Sequence, residues 1–157
     1  LTLTLKGNTL VLYNFVEKHG VPMHKMISEA AEEGRKVFFV SGSVKADVRE
    51  EIRHTTELES NAIIVASYGT FSTGINIRNL HNVVFTSPSK SRIRNLQSIG
   101  RGLRKGNGKT SAVLYDIADD LRYKTYMNFA IRHFYERINI YNEEKFEFKI
   151  NEINLYD

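Results

Sequence analysis

The chain contains no cysteine. Disulfide scaffolding, thiol redox chemistry and thiolate metal sites are therefore excluded. Its five histidines are scattered without ligand spacing, and no acidic motif of the Asp-Glu-x-His kind is present, so no metal ligands are assigned. No apolar run is long enough to span a bilayer, and the first residues lack the apolar core of a signal peptide. The expectation is a cytoplasmic protein with no membrane partner. The chain starts at Leu1, without methionine, and reads as part of a longer polypeptide.

Acidic residues are missing where they matter most. From Ser60 to Tyr115 there is no Asp or Glu, while Arg78, Lys90, Arg92, Arg94, Arg101, Arg104, Lys105 and Lys109 all fall there. The net charge of +4 thus combines a region of +8 with a remainder of −4. A stretch of 56 residues carrying one sign of charge points to a nucleic acid or polyphosphate partner.

Within that stretch, Ser91 to Lys105 has helical periodicity. Ile93, Leu96, Gly100 and Leu103 fall on one side, with Ile99 at its margin; Arg94, Gln97, Arg101 and Arg104 fall on another. The first side can bury against a sheet. The second aligns one amide and three guanidiniums with no acid to pair them, which is unfavourable until an anion arrives.

The remaining elements alternate. Apolar runs at 9–15, 36–41, 61–67, 82–87 and 111–117 read as strands, the third continuous rather than alternating, as in a parallel sheet covered on both faces. Between them, Pro22 opens a helix with Met23, Met26, Ile27, Ala30 and Ala31 as its apolar stripe, ending at Gly34. A second helix is expected over 46–58 with Val48, Ile52 and Thr55 inward, a Gly/Ser/Thr-rich loop over 68–76, and a long helix over 122–141. Residues 1–7 fit an edge strand or the tail of a helix, and 144–155 fit an added edge strand. The expected fold is α/β, a three-layer sandwich on a mostly parallel sheet, forming one domain over 1–157 with 122–157 as a C-terminal helix and tail. Such folds bind ligands at the carboxyl ends of their strands. Here that edge holds the Ser41–Gly42 turn, the 67–76 loop and the approach to the basic helix.

Several features admit two readings. Gly42 lets a backbone approach closely, and the start of the helix after it can receive a phosphate. Arg49 either joins that contact or makes an internal salt bridge. The hydroxyls of 67–73 either face a ligand or cap the loop. Tyr123, Phe134 and Tyr141 are core by their helical spacing, with base stacking as the alternative; Phe71 is the better candidate to touch a base or a partner domain. Asp116, Asp119 and Asp120 fit a polar loop and helix caps, and they also leave open a flavodoxin-like or other nucleotide-handling enzyme. Asn107-Gly108-Lys109-Thr110 is not a phosphate-binding loop. The required first glycine would fall at Leu103, and the segment leaves a helix instead of opening one.

Gln97-x-x-Gly100-Arg101-x-x-Arg104 resembles motif VI of superfamily 2 helicases. Gly42-x6-Arg49 resembles the element after the second strand of the same family, and Ala66 to Asn76 resembles its motif V. The three occur in the family's order and cover about residues 9–116. The resemblance implies a second, C-terminal RecA-like domain, a P-loop NTPase type of fold without its own P-loop. It further implies that Arg104 is the principal arginine finger on ATP, that Arg101 supports it, and that Gln97, Gly74 and Asn76 line the nucleotide cleft. Asn76 stands where many members carry Asp, so it can bond a ribose hydroxyl only as a neutral group. Gly42, Ser43, Arg49, Ser67, Thr70, Phe71, Ser72 and Thr73 would lie along nucleic acid.

Residues 65–75, 97–105 and the late Glu144-Lys145-Phe146 are similar to branch-migration and DNA-repair helicases of T-even phages. That likeness implies ATP-driven action on single-stranded or branched DNA and RNA–DNA hybrids, in an infected or bacterial host cell. ATP and Mg2+ would be bound mainly by a first RecA-like domain of the same polypeptide, and this domain alone would be inactive. A non-catalytic nucleic-acid-binding module, or the motor of a restriction or remodelling enzyme, is the alternative.

Overall fold

The computed structural model describes residues 1–74, 77, 79–87, 91 and 112–154, with the side chains of 72–74 left out. The chain divides into two compact units, Leu1–Ala118 and Asp119–Asp157.

The first unit is built on five strands: β1 (Thr9–Tyr13), β2 (Val37–Val40), β3 (Ile63–Ser67), β4 (Asn82–Phe85) and β5 (Val113–Asp116). Their order in the sheet is β2-β3-β1-β4-β5, and every pairing is parallel. Each matches an apolar run of the sequence. The central strand β1 pairs Leu10 with both Ile64 and Val83, and Leu10 to Tyr13 are fully buried. Burial on both faces explains why these runs do not alternate.

Three helices join the strands: α1 (Val21–Ala30), α2 (Ala46–Leu58) and α3 (Tyr68–Gly74). Right-handed crossovers put α1 on one face and α2 and α3 on the other, since the connections run in opposite directions across the sheet. Ile27 of α1 packs with Val11, Tyr13, Ile63, Val65 and Val84 on the first face. On the other, the ring of Tyr68 meets Phe85 edge-on at 5.4 Å. The layered α/β architecture is therefore the expected one. Gly20 precedes α1 beneath Tyr13, where an added Cβ would come 2.3 Å from the ring, so only glycine fits.

At the amino edge Asn8 ties three segments together. Its amide donates to the carbonyls of Thr56 and Glu59 at 2.9 and 2.7 Å, and its Oδ1 accepts from Ala62 N–H at 2.8 Å. This fixes the end of α2 beside the start of β3.

Several boundaries differ from the sequence expectations. Residues 2–4 form a 3-10 turn, neither strand nor α-helix tail. In α1, Met26 is exposed and only Ile27 is buried. In α2, Val48 is exposed and Thr56, not Thr55, is buried, its Oγ1 satisfied by the Ile52 carbonyl at 2.7 Å. Residues 68–74 are a helix, not a loop. Ser67 is the reason: its hydroxyl accepts the Thr70 N–H at 3.2 Å, a side-chain cap that starts a helix in a run of poor helix formers.

The second unit holds α4 (Phe129–Glu143), which starts seven residues later than expected. Asn128 stops it from starting earlier, because its side chain accepts from Leu121 N–H and donates to the Asp119 carbonyl, closing residues 119–128 into a loop. Tyr141 is buried and Phe134 half-buried, but Tyr123 lies outside the helix and is exposed. No strand forms among residues 144–154. The basic helix expected over 91–105 falls outside the described residues, apart from Ser91.

Candidate nucleic-acid interface

Parallel pairing sends every strand of the sheet to the same edge, where Asn14, Ser41, Ser67 and Ser87 follow or end β1, β2, β3 and β4. Two sequence motifs meet there. A Cβ placed on Gly42 would stand 4.0 Å from Thr70 Oγ1. The turn after β2 and the start of α3 are thus neighbours, although 28 positions separate them in the sequence.

Each loop is held by its own hydroxyls. Ser41 and Ser43 are 2.8 Å apart, and Val44 N–H donates to the Ser41 carbonyl. Ser67 and Thr70 share a buried bond of 2.7 Å. Gly42 and Ser43 are exposed, so the turn offers backbone and a hydroxyl to solvent.

The helix α2 that follows carries two arginines one turn apart in different states. Arg53 is engaged by Glu57 at 2.8 Å and by both carboxylate oxygens of Glu50, which hold its proton more firmly than usual. Arg49 has no ion pair among the described residues, and its Nε is buried without a hydrogen-bond partner. A buried unpaired guanidinium N–H is costly, and an arriving anion would relieve it. The first turn of α2 also has no side-chain cap, since Lys45 precedes it, and it carries one acid, Asp47. Of the two readings of Arg49, the internal salt bridge is absent among the described residues.

Phe71 is corrected. Its side chain is fully buried, because α3 turns residues 68 and 71 toward the sheet, and its ring is not presented to a base. Ser72, Thr73 and Gly74 belong to α3, but the surroundings of these three residues lie outside what is described. Asn76, Gln97, Arg101 and Arg104 lie wholly outside the described residues.

The edge has two further members without a sequence signature. Asn14 N–H donates to Ser87 Oγ at 3.2 Å, and its side-chain amide donates to the Ser87 carbonyl. Ser87 Oγ also lies 3.4 Å from His19 Nδ1. The only hint in the sequence is that Asn14 is the first strongly polar residue after the apolar run. Among the described residues no group of three or more His, Asp or Glu could hold a metal, and no helix is long and apolar enough to cross a membrane.

Residues 2–106 match the family described as "Helicase conserved C-terminal domain". The chain belongs to that family. It is 37% identical over 158 aligned positions to the ATP-dependent DNA helicase uvsW of Enterobacteria phage T4. The alignment takes in 94% of this chain and 31% of that protein, so the chain spans about a third of its relative's length. Among solved structures it is similar to domain 2 of the DEAD-box helicase Mss116p bound to an RNA duplex, with a TM-score of 0.60 and 16% identity, over 73% of this chain and 43% of that one. The C-terminal part of the Fun30 ATPase domain matches with a TM-score of 0.55 and 16% identity, over 88% and 48%. At such identities the two structures speak for the fold alone, and that fold is the RecA-like one expected.

Proposed function

We propose that this domain is the second motor domain of an ATP-dependent DNA helicase acting on branched DNA or RNA–DNA hybrids in recombination and repair. The observation that carries the reading is the 37% identity to a phage DNA helicase across 94% of the chain. The matched family segment, ending at residue 106, includes Gln97, Arg101 and Arg104.

In this reading the carboxyl edge of the first unit grips the nucleic-acid backbone. Gly42 and Ser43 offer a phosphate a close backbone approach, Arg49 and the uncapped start of α2 neutralise it, and Ser67 and Thr70 hold the adjoining wall. Ser72 and Thr73 add hydroxyls to that track. Arg101 and Arg104, with Gln97, Gly74 and Asn76, face ATP held with Mg2+ mainly by a first RecA-like domain of the same polypeptide. Opening and closing between the two domains then moves the Gly42 and Thr70 loops along the strand. Such a protein works in the cytoplasm of the cell that contains the DNA.

The test is ATP-dependent unwinding of forked DNA and of an RNA–DNA hybrid by the full-length protein, beside this 157-residue domain alone. Unwinding by the former and neither unwinding nor ATP turnover by the latter is expected. Turnover by the isolated domain would overturn the reading and direct attention to Asp116 and Asp119.

A further inference from the structure

In the second unit, the residues between Asp120 and Glu136 include no acid, and they interleave Arg122, Lys124 and Arg132 with Tyr123, Tyr126, Phe129 and Tyr135. The structure arranges part of this run as a tight turn. Tyr123 and Tyr126 form an antiparallel bridge, each N–H donating to the other's carbonyl at 3.1 and 3.0 Å, around Lys124 and Thr125. Lys124 takes a φ of +53° to make it. Directly paired residues of an antiparallel bridge project to the same face, so the two tyrosine side chains leave the turn on one side.

The aromatic side chains of this segment are exposed. Tyr123 is 71% exposed, Tyr126 63% and Phe129 66%. The loop that displays them is closed at its base by Asn128, through its bonds to Leu121 N–H and the Asp119 carbonyl. Arg122 is engaged by Asp120 at 2.8 Å. The other two cations stand over aromatic rings: Lys124 Nζ lies 5.3 Å from the Tyr123 centroid, and the Arg132 guanidinium 4.5 Å from that of Phe129. Neither has an acidic partner among the described residues.

We infer that the Tyr123–Tyr126 turn is a second nucleic-acid contact, on which unpaired bases stack while Lys124 and Arg132 take the adjoining phosphates. Flat exposed rings alternating with unpaired cations are what single strands require: the rings accept any base and the cations follow the backbone. An acidic protein surface would use the cations and leave the rings without a flat partner. The inference rests on the reading that the protein acts on nucleic acid, but it concerns residues outside the three helicase motifs.

These 157 residues contain no tryptophan, so Tyr126→Trp in this domain gives a single reporter at the turn. Its emission is expected to be quenched by oligo(dT), and not by an abasic oligomer of equal charge. Tyr123→Ala with Tyr126→Ala should weaken oligo(dT) binding about tenfold or more, Tyr→Phe at both should preserve it, and Tyr→Leu at both should not. Because both rings are exposed, all variants should retain the wild-type circular dichroism.

Equal quenching by the abasic oligomer, or unchanged affinity in the double alanine variant, would overturn the inference and mark the turn as a charged surface for an acidic protein. Arg49→Ala is the companion variant. If it weakens binding while the tyrosine variants do not, this inference fails and the proposed function stands. If no variant and not even the wild type binds DNA, both fail.

Discussion

A Cβ on Gly42 would lie 4.0 Å from the hydroxyl oxygen of Thr70. That is ordinary contact distance, and Gly42 has no left-handed backbone angle, so the fold does not require glycine at this position. Gly42→Ala should leave the unfolding free energy within about 0.5 kcal/mol of wild type, as measured in urea. If glycine is there to bring backbone against a phosphate, the same variant should lose affinity for single-stranded DNA. Loss of stability in place of affinity would assign Gly42 to the fold.

Arg49 and Arg53 provide an internal comparison. Arg49→Ala removes a guanidinium whose Nε has no partner, and should cost little stability or even add some. It should weaken single-strand binding and reduce the salt slope by about 0.7, the loss of one phosphate contact. Arg53→Ala breaks bonds to Glu50 and Glu57 and should leave that slope unchanged. Equal slopes for wild type and Arg49→Ala would remove Arg49 from the track.

Tyr13 makes stability depend on alkaline pH. Burial, aided by the Glu17 carboxylate, pushes its phenol up to about 12. In the unfolded chain a phenol ionises near about 10. The stabilisation is complete below that value. Above it the unfolded chain releases a proton that the folded one retains, so stability falls as pH rises from about 10 to about 12, by about 1 kcal/mol per unit. Denaturation of Tyr13→Phe across this range should show a flatter profile. An identical profile would place the titration elsewhere.

Much of the first unit was legible in the sequence because buried parallel strands are continuous apolar runs. All five strands fell within the expected segments, and α2 at its expected bounds. The failures have local causes. The run 68–74 is poor in helix formers, and one side-chain bond from Ser67 outweighs that propensity. Tyr123 continues the apolar period of α4 but is diverted into a turn by Asn128, whose two long-reaching bonds no periodicity shows. At the candidate site, the resemblance to a helicase element marked Gly42 and Arg49, and only the fold shows Gly42 beside Thr70. Asn14 and His19 are ordinary in sequence, and their place at the edge comes from the pairing of β1 with β4.

The most direct test of the second-motor-domain reading is single-turnover ATP hydrolysis by the full-length protein with Arg104→Ala, in the presence of single-stranded DNA. An arginine finger acts on charge that develops in the transition state. The rate should therefore fall about a thousandfold or more while ATP affinity changes far less. An unchanged rate would contradict the assignment of Arg104 and with it the claim that this domain completes an ATPase site.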